Sequence, residues 1–253
     1  MPLALQAGLW GLLGGSALLL GAAVAWIAPL PQRLIAVVMA LGAGVLISAV
    51  SFELMEKAAA SGGLNWAAGG FVAGAAIYTG ANVWLSRRGA RHRKRSGGEA
   101  GERQPHADEG GGLAIAVGAL LDGVPESVVI GASLLGGAGV SLTTVAAVFL
   151  SNVPEGLSSA AGMRKAGRPA SYVFGVWGGI ALASGVAAFL GAWALEGALP
   201  TLVAAIQALA AGAILAMIAD TMIEEAVAGE HGLTGLIVVI GLLVAFALSQ
   251  GGG

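Results

Sequence analysis

Two Val-Pro-Glu segments in the middle of the chain carry the residue types best suited to chemistry. The first is LLDGVPESVVIG at 121–132, and the second is FLSNVPEGLSSAAG at 149–162. Both lie within long apolar stretches, where each ionised residue costs roughly 2.5–3.5 kcal/mol on membrane-insertion scales. Asp122, Glu126 and Glu155 therefore need either buried partners or a function.

Helical spacing places the polar residues of each segment on one face. Residues four apart share a helix face, so Asp122 lies beneath Glu126 and Ser151 beneath Glu155, with Asn152 one turn before Glu155. Each proline lacks an N–H, which frees one main-chain carbonyl per helix. Such oxygen ligands suit a divalent cation. The alternative interpretation is that the acids are protonated and hydrogen-bonded, or line a water-filled crevice.

The composition predicts that these helices lie in a membrane. Of the 253 residues, 57% are hydrophobic and only 10% are charged, well below the charged share of soluble domains. By the rise of an α-helix, Asp122 and Asn152 lie about 14 and 16 Å inside their helices, near the middle of a hydrocarbon core about 30 Å thick. Cysteine is absent, which excludes thiolate metal sites, and the net charge of −2 does not indicate a nucleic-acid partner.

The apolar runs predict an all-α, polytopic membrane protein with eight transmembrane helices. We divide the chain into helices 1–3 (1–85), a disordered basic cytoplasmic loop (86–112), helices 4–5 with the metal site (113–163) and helices 6–8 (164–253). The eight predicted spans are 7–29, 34–56, 64–85, 112–136, 141–163, 170–195, 200–223 and 232–250.

The basic residues predict the orientation. All of them except Lys57 fall in the loops after the first, third and fifth spans, and basic loops stay in the cytoplasm. Both termini then face outward, extracellular or periplasmic, from a plasma or inner membrane. In the loop 86–112, His92 and His106 are either transient metal ligands or simply solvated.

A weak internal repeat relates 41–58 to 209–226, with Gly44 on Gly212 and Glu56 on Glu224. By the span count the two copies run in opposite directions, as in the inverted repeats of transporters. Chance similarity between two helices rich in Ala, Gly and Leu is the alternative. Small residues also allow close helix approach, and the glycine-rich faces permit a homodimer.

At the Val-Pro-Glu segments the chain resembles the ZIP (zinc/iron-regulated-transporter-like) family of divalent metal transporters. In that family the fourth and fifth spans carry His-Asn-x-Pro-Glu-Gly and a related x-Asp/Asn-x-Pro-Glu-Gly signature, which here read DGVPES from Asp122 and SNVPEG from Ser151. The resemblance implies a 3+2+3 arrangement of helices with inverted repeats. It covers essentially the whole chain, as a divergent bacterial-type member.

The resemblance also implies the ligands. Glu126, Glu155 and Asn152 would bind the metal, Asp122 stands where a histidine is usual, and Asp220 aligns with an inner carboxylate in span seven. Two departures argue against a two-metal centre: a glycine replaces an asparagine ligand at Gly123, and an alanine replaces a span-six glutamate at Ala188. The full set of predicted metal-site residues is Asp122, Glu126, Ser151, Asn152, Glu155 and Asp220.

These observations predict import of divalent cations into the cytoplasm through a midplane site between helices 4 and 5, with no resident cofactor and no catalysis. Zinc is the expected cargo, with iron, manganese and cadmium as further candidates, and an oxygen-only shell widens tolerance to manganese or iron(II). Two alternatives stay open: a non-transporting metal sensor, and an intramembrane enzyme with an acid–base pair of carboxylates. Further polar residues along the path are Glu53 and Glu56 at the outer entrance and Glu224, Glu225 and His231 at the exit, and the alternative is that they are solvated helix ends.

Overall fold

The computed structural model describes residues 1–97, 104–107, 112–136, 141–229 and 232–251. Within these ranges the chain is almost wholly helical and contains no strand, which confirms the all-α prediction. The long helices are α1 (Leu3–Ile27), α2 (Gln32–Gly62), α3 (Leu64–Leu85), α4 (Gly112–Ser133), α5 (Leu142–Lys165), α6 (Ala170–Leu195), α7 (Pro200–Gly229) and α8 (Thr234–Gly251).

Five of these helices are long and apolar enough to cross a membrane: α1, α2, α4, α6 and α7. Helix α8 is apolar but shorter, and α5 is the most polar of the long helices because serines, an amide and Glu155 interrupt its apolar run. Large apolar side chains cover much of the outer surface, among them Leu20, Trp66 and Val239. Such exposed apolar area is unusual for a water-soluble monomer and fits a lipid environment.

Glycines set how closely the helices pack. A side chain at Gly156 in α5 would collide with the main-chain carbonyl of Leu18 in α1. A side chain at Gly131 in α4 would likewise collide with the carbonyl of Ala188 in α6. Because only glycine fits at these positions, α1 packs tightly on α5 and α4 tightly on α6, and α1 and α6 also pack against each other.

The two segments of the weak repeat share a local irregularity. Helix α2 contains a π-helical turn at Val50–Leu54, and α7 contains one at Ile218–Met222. When 41–58 is aligned with 209–226, these turns occupy the same positions. Because π-turns are rare in helices, their presence at aligned positions is a second similarity between the segments, in addition to the identical residues.

Candidate functional site

Both Val-Pro-Glu segments lie inside uninterrupted helices. Pro125 sits within α4 and Pro154 within α5, and neither proline ends its helix. Since a proline cannot donate a hydrogen bond to the fourth residue before it, the carbonyls of Leu121 and Leu150 lack their usual intrahelical donor. Each helix therefore carries a main-chain carbonyl without its usual intrahelical donor near its glutamate.

Asp122 is buried in a dense network of donors. Its carboxylate accepts two hydrogen bonds from Arg93, from Nε at 2.9 Å and from Nη2 at 2.7 Å. The Tyr78 hydroxyl donates a third at 2.6 Å. The Arg93 side chain is only 1% exposed and Asp122 only 2%. This two-pronged Arg–carboxylate geometry is the strong form of such a pair, and it saturates Asp122.

Lys94 lies between the two site helices. Its Nζ is 2.7 Å from Glu155 Oε2 and 3.4 Å from Asp122 Oδ2, and its side chain is 5% exposed. The contacts are ion pairs without directed hydrogen-bond geometry. A single ammonium therefore connects an acid of α4 with an acid of α5.

The two Val-Pro-Glu glutamates share the buried interior with this ammonium. Glu126 and Glu155 are both buried and lie near enough for their charges to interact. Asn152 lies near Glu126, and its Nδ2 donates to the carbonyl of Gly14 at 3.0 Å. In each glutamate, Oε1 has no hydrogen-bond partner among the described residues. Unpaired buried carboxylate oxygens are costly, and they are the ligand type that hard cations take.

The other predicted ligands lie apart from this pair. Ser151 is buried, and its hydroxyl donates to the carbonyl of Val148 at 2.9 Å. Asp220 is exposed on the π-turn of α7 and accepts a hydrogen bond from Asn82 Nδ2 at 3.2 Å. Asn82 Oδ1 in turn accepts from Arg93 Nη1 at 2.8 Å. Asp220 is therefore linked to the network through Asn82 and Arg93.

Three of the acids predicted along the path have polar partners close in space. Glu53 is held by Lys57 Nζ at 2.9 Å and by the Ser141 hydroxyl. Glu224 pairs with Arg95 Nη2 at 2.7 Å. Glu225 accepts from the main-chain N–H of Ser96 at 2.9 Å and from its hydroxyl. Glu56 is exposed, and His231 lies outside the described residues.

Across the described ranges, no three or more His, Cys, Asp or Glu side chains are placed to hold a metal ion together. The cause is visible in the network, since Arg93 occupies Asp122 and Lys94 stands beside Glu155. The carboxylates of Asp122 and Glu155 thus lie close together, with the cationic side chains of Arg93 and Lys94 beside them.

Tyr78, Asn82, Arg93 and Lys94 are not among the predicted site residues. The loop 86–112 is predicted to be disordered and cytoplasmic, whereas Arg93, Lys94, Ser96 and Gln104 in its described part are buried in the bundle. The sequence contains one indication of these partners. Three acids at membrane depth require cations, and the run RHRKR at 91–95 is the densest group of basic residues.

A cavity of about 800 Å³ opens where α2, α4, α5, α6 and α7 meet, at the end of the bundle that the distribution of basic residues predicts to face outward. It is lined by polar groups that include Lys57, Ser141, Thr144 and Gln207. Thr144 precedes Glu155 by three turns, about 16 Å along α5. The cavity therefore approaches the glutamates from one side without reaching them.

No protein-family model and no curated protein sequence matches this chain. The resemblance to the ZIP family therefore rests on the two Val-Pro-Glu segments themselves.

Proposed function

We propose that all eight long helices cross a membrane, with the loops after α1, α3 and α5 in the cytoplasm and both termini outside. The support is the five helices of sufficient length and apolarity, the apolar outer surface and the position of every basic residue except Lys57 in or beside those loops. Helices α3, α5 and α8 complete the even number of crossings that this distribution of charge requires.

We further propose a 3+2+3 arrangement in which α6–α8 repeat α1–α3 with inverted orientation. The π-turns of α2 and α7 support it. So do two helix crossings, because Gly44 in α2 abuts the carbonyl of Val238 in α8, and its aligned partner Gly212 in α7 abuts the carbonyl of Phe71 in α3. An inverted repeat would pair α2 with α8 and α7 with α3 in this way.

We propose that the protein transports divalent metal cations, zinc foremost, into the cytoplasm through a site between α4 and α5. One observation carries this proposal: the glutamates of both Val-Pro-Glu segments are buried within range of each other's charge, each with a carboxylate oxygen that lacks a hydrogen-bond partner among the described residues. Two converging carboxylates supply the negative charge that offsets a dication's lost hydration. The ZIP-like motifs agree with this role.

Each residue has a distinct part in this proposal. Glu126, Glu155 and the Asn152 carboxamide are the first ligands of the ion. Asp122 becomes available only when Arg93 leaves it, and Asp220 lies further along the route toward the cytoplasm. The outer cavity, lined in part by Thr144, provides the approach from outside.

The test is uptake of zinc into liposomes that contain the purified protein. Wild type should accumulate zinc, whereas Glu155→Gln and Glu126→Gln should fall to the rate of protein-free vesicles because a ligand charge is lost. Glu196→Gln, which changes an exposed acid after α6, is the matched control and should transport normally. Equal uptake by wild type and Glu155→Gln would defeat the assignment.

The buried cations favour a second candidate, a non-transporting membrane protein in which the network is purely structural. In that case Arg93 and Lys94 are permanent partners of Asp122 and Glu155, as is common where breaking a buried pair is costly. Wild-type vesicles that show no uptake of zinc, manganese, iron(II) or cadmium, together with protein that no dication stabilises, would support this candidate. Stabilisation by a dication without uptake would instead support a sensor.

A further inference from the structure

The segment 91–97 follows α3 and enters the bundle beside the site. Its main-chain carbonyls are bound by side chains from elsewhere in the chain. The Ser159 hydroxyl donates to the carbonyl of Arg93 and the Ser158 hydroxyl to that of Lys94, both at 2.6 Å. Gln104 Nε2 donates to the carbonyls of Arg93 and Arg95 at 2.9 and 3.2 Å. Hydrogen bonds to successive carbonyls fix one docked register.

The surfaces beneath the segment are shaped to receive it. A side chain at Gly162 in α5 would collide with the carbonyl of Arg95 and with Gln104. A side chain at Gly118 in α4 would lie 2.6 Å from Arg93 Cδ. The site helices therefore provide a groove, made by these glycines and the two serines, that larger residues would fill.

Four consecutive residues of the segment meet acids on three different helices. Arg93 pairs with Asp122 of α4, and Lys94 pairs with Glu155 of α5. Arg95 and Ser96 then meet Glu224 and Glu225 of α7. The docked segment thus places positive charge along the stretch between the glutamates and the predicted cytoplasmic end.

We propose that segment 91–97 is an inner gate, and that the Lys94 ammonium is a tethered cation which holds the place of the transported dication. At 2.7 Å from Glu155 and 3.4 Å from Asp122, the ammonium leaves no room for an ion bound to the same oxygens. A dication carries more charge to the same carboxylates, so its arrival displaces Lys94 and weakens the docked segment. This inference rests on the proposed function.

Arg93 gives the gate a second action. While it is docked, its guanidinium and the Tyr78 hydroxyl occupy both oxygens of Asp122. Departure of the segment removes Arg93 and Lys94 together, which frees Asp122 below the glutamates. Release of the gate and exposure of the next carboxylate are therefore one event, which directs the ion inward.

The absence of cysteine allows a direct test by thiol labelling. Ser96 is completely buried in the docked segment, so the Ser96→Cys variant reports undocking when it is exposed to a membrane-impermeant maleimide in detergent micelles. Mn²⁺ is the probe, since carboxylates suit it and thiols bind it weakly. The matched control is Ser184→Cys, a buried serine on α6. Mn²⁺ should accelerate labelling at position 96 and leave position 184 unchanged.

The Lys94→Met substitution, which removes the tethered charge, should increase both the labelling rate at position 96 and the affinity for Mn²⁺. In a Ser96→Cys background, Lys94→Met should label faster without Mn²⁺, because one anchor of the segment is lost. The Mn²⁺ concentration that gives half of the maximal thermal stabilisation should fall roughly tenfold or more, because a competing charge a few ångströms away is gone. Lys165→Met, at the exposed end of α5, should change neither quantity.

The outcomes separate the gate from the proposed function. If Mn²⁺ stabilises the protein and yet labelling at position 96 does not accelerate, the gate is wrong and the function stands. If neither wild type nor Lys94→Met responds to any dication, the proposed function is wrong. Lys94→Met that binds Mn²⁺ no more tightly than wild type would also overturn the gate.

Discussion

Two lysine–glutamate pairs in this protein illustrate opposite uses of the same chemistry. Lys57 and Glu53 lie one turn apart on α2, with Nζ and Oε1 at 2.9 Å, and their side chains are 61% and 10% exposed. Lys94 and Glu155 come from distant parts of the sequence, and their side chains are only 5% and 4% exposed. Water screens the ammonium of the first pair, and Glu53 keeps the Ser141 hydroxyl when that ammonium is lost, so the loss costs little. The second cannot lose one partner without leaving an uncompensated charge.

The largest effect is expected where the buried network is broken at its centre. Asp122→Asn leaves the Arg93 guanidinium buried without a counter-charge, and we expect about 3–5 kcal/mol less stability toward chemical unfolding in detergent micelles. Adding Arg93→Met should recover most of that loss, because no unpaired charge remains. If Asp122→Asn alone lost less than about 1 kcal/mol, the contrast between the buried network and the Lys57–Glu53 pair would be wrong.

A smaller effect is expected where only the docking of segment 91–97 is weakened. Ser158→Ala removes the donor to the carbonyl of Lys94, and we expect a loss of about 1–3 kcal/mol. Ser159→Ala should cost less, because the carbonyl of Arg93 still accepts from Gln104. Unfolding of the two variants side by side measures the difference. The reverse order would show that Gln104 does not support the docked register.

The smallest effect is expected at the exposed pair. Lys57→Met should change the free energy of unfolding by less than about 1 kcal/mol, and the change should shrink further in high salt. The measurement is the same unfolding experiment at low and high ionic strength. A loss as large as that of Asp122→Asn would remove the distinction between exposed and buried pairs.

Much of the architecture could be predicted because its causes are local. A long apolar run fixes a helix wherever the rest of the chain lies, and the predicted runs correspond to α1–α8. Helical spacing likewise predicts that Glu126 and Glu155 are buried with Asn152 nearby. Their role as metal ligands, and the passage of α3, α5 and α8 through a membrane, stay predictions.

The docked segment could not be predicted, because its order depends on partners far away in sequence. Composition alone makes 86–112 look disordered, since its charges have no local counterpart. The neutralising groups are Asp122, 29 residues from Arg93, and Glu224, 129 residues from Arg95. The partners of Asp122 could not be predicted for the same reason, since Tyr78 lies 44 residues away. Ion pairs between residues far apart in the sequence produce no periodic pattern from which they could be predicted.

The π-turn of α7 fixes the direction in which the last residues of that helix face. A π-turn accommodates one residue more than an α-helical turn, and each residue rotates an α-helix by about 100°. Without the surplus residue at Ile218–Met222, everything beyond it would be turned by that angle. Glu224 and Glu225 would then face away from Arg95 and Ser96. Deleting a single residue within this turn would redirect two carboxylates while the apolar character of the helix stayed the same.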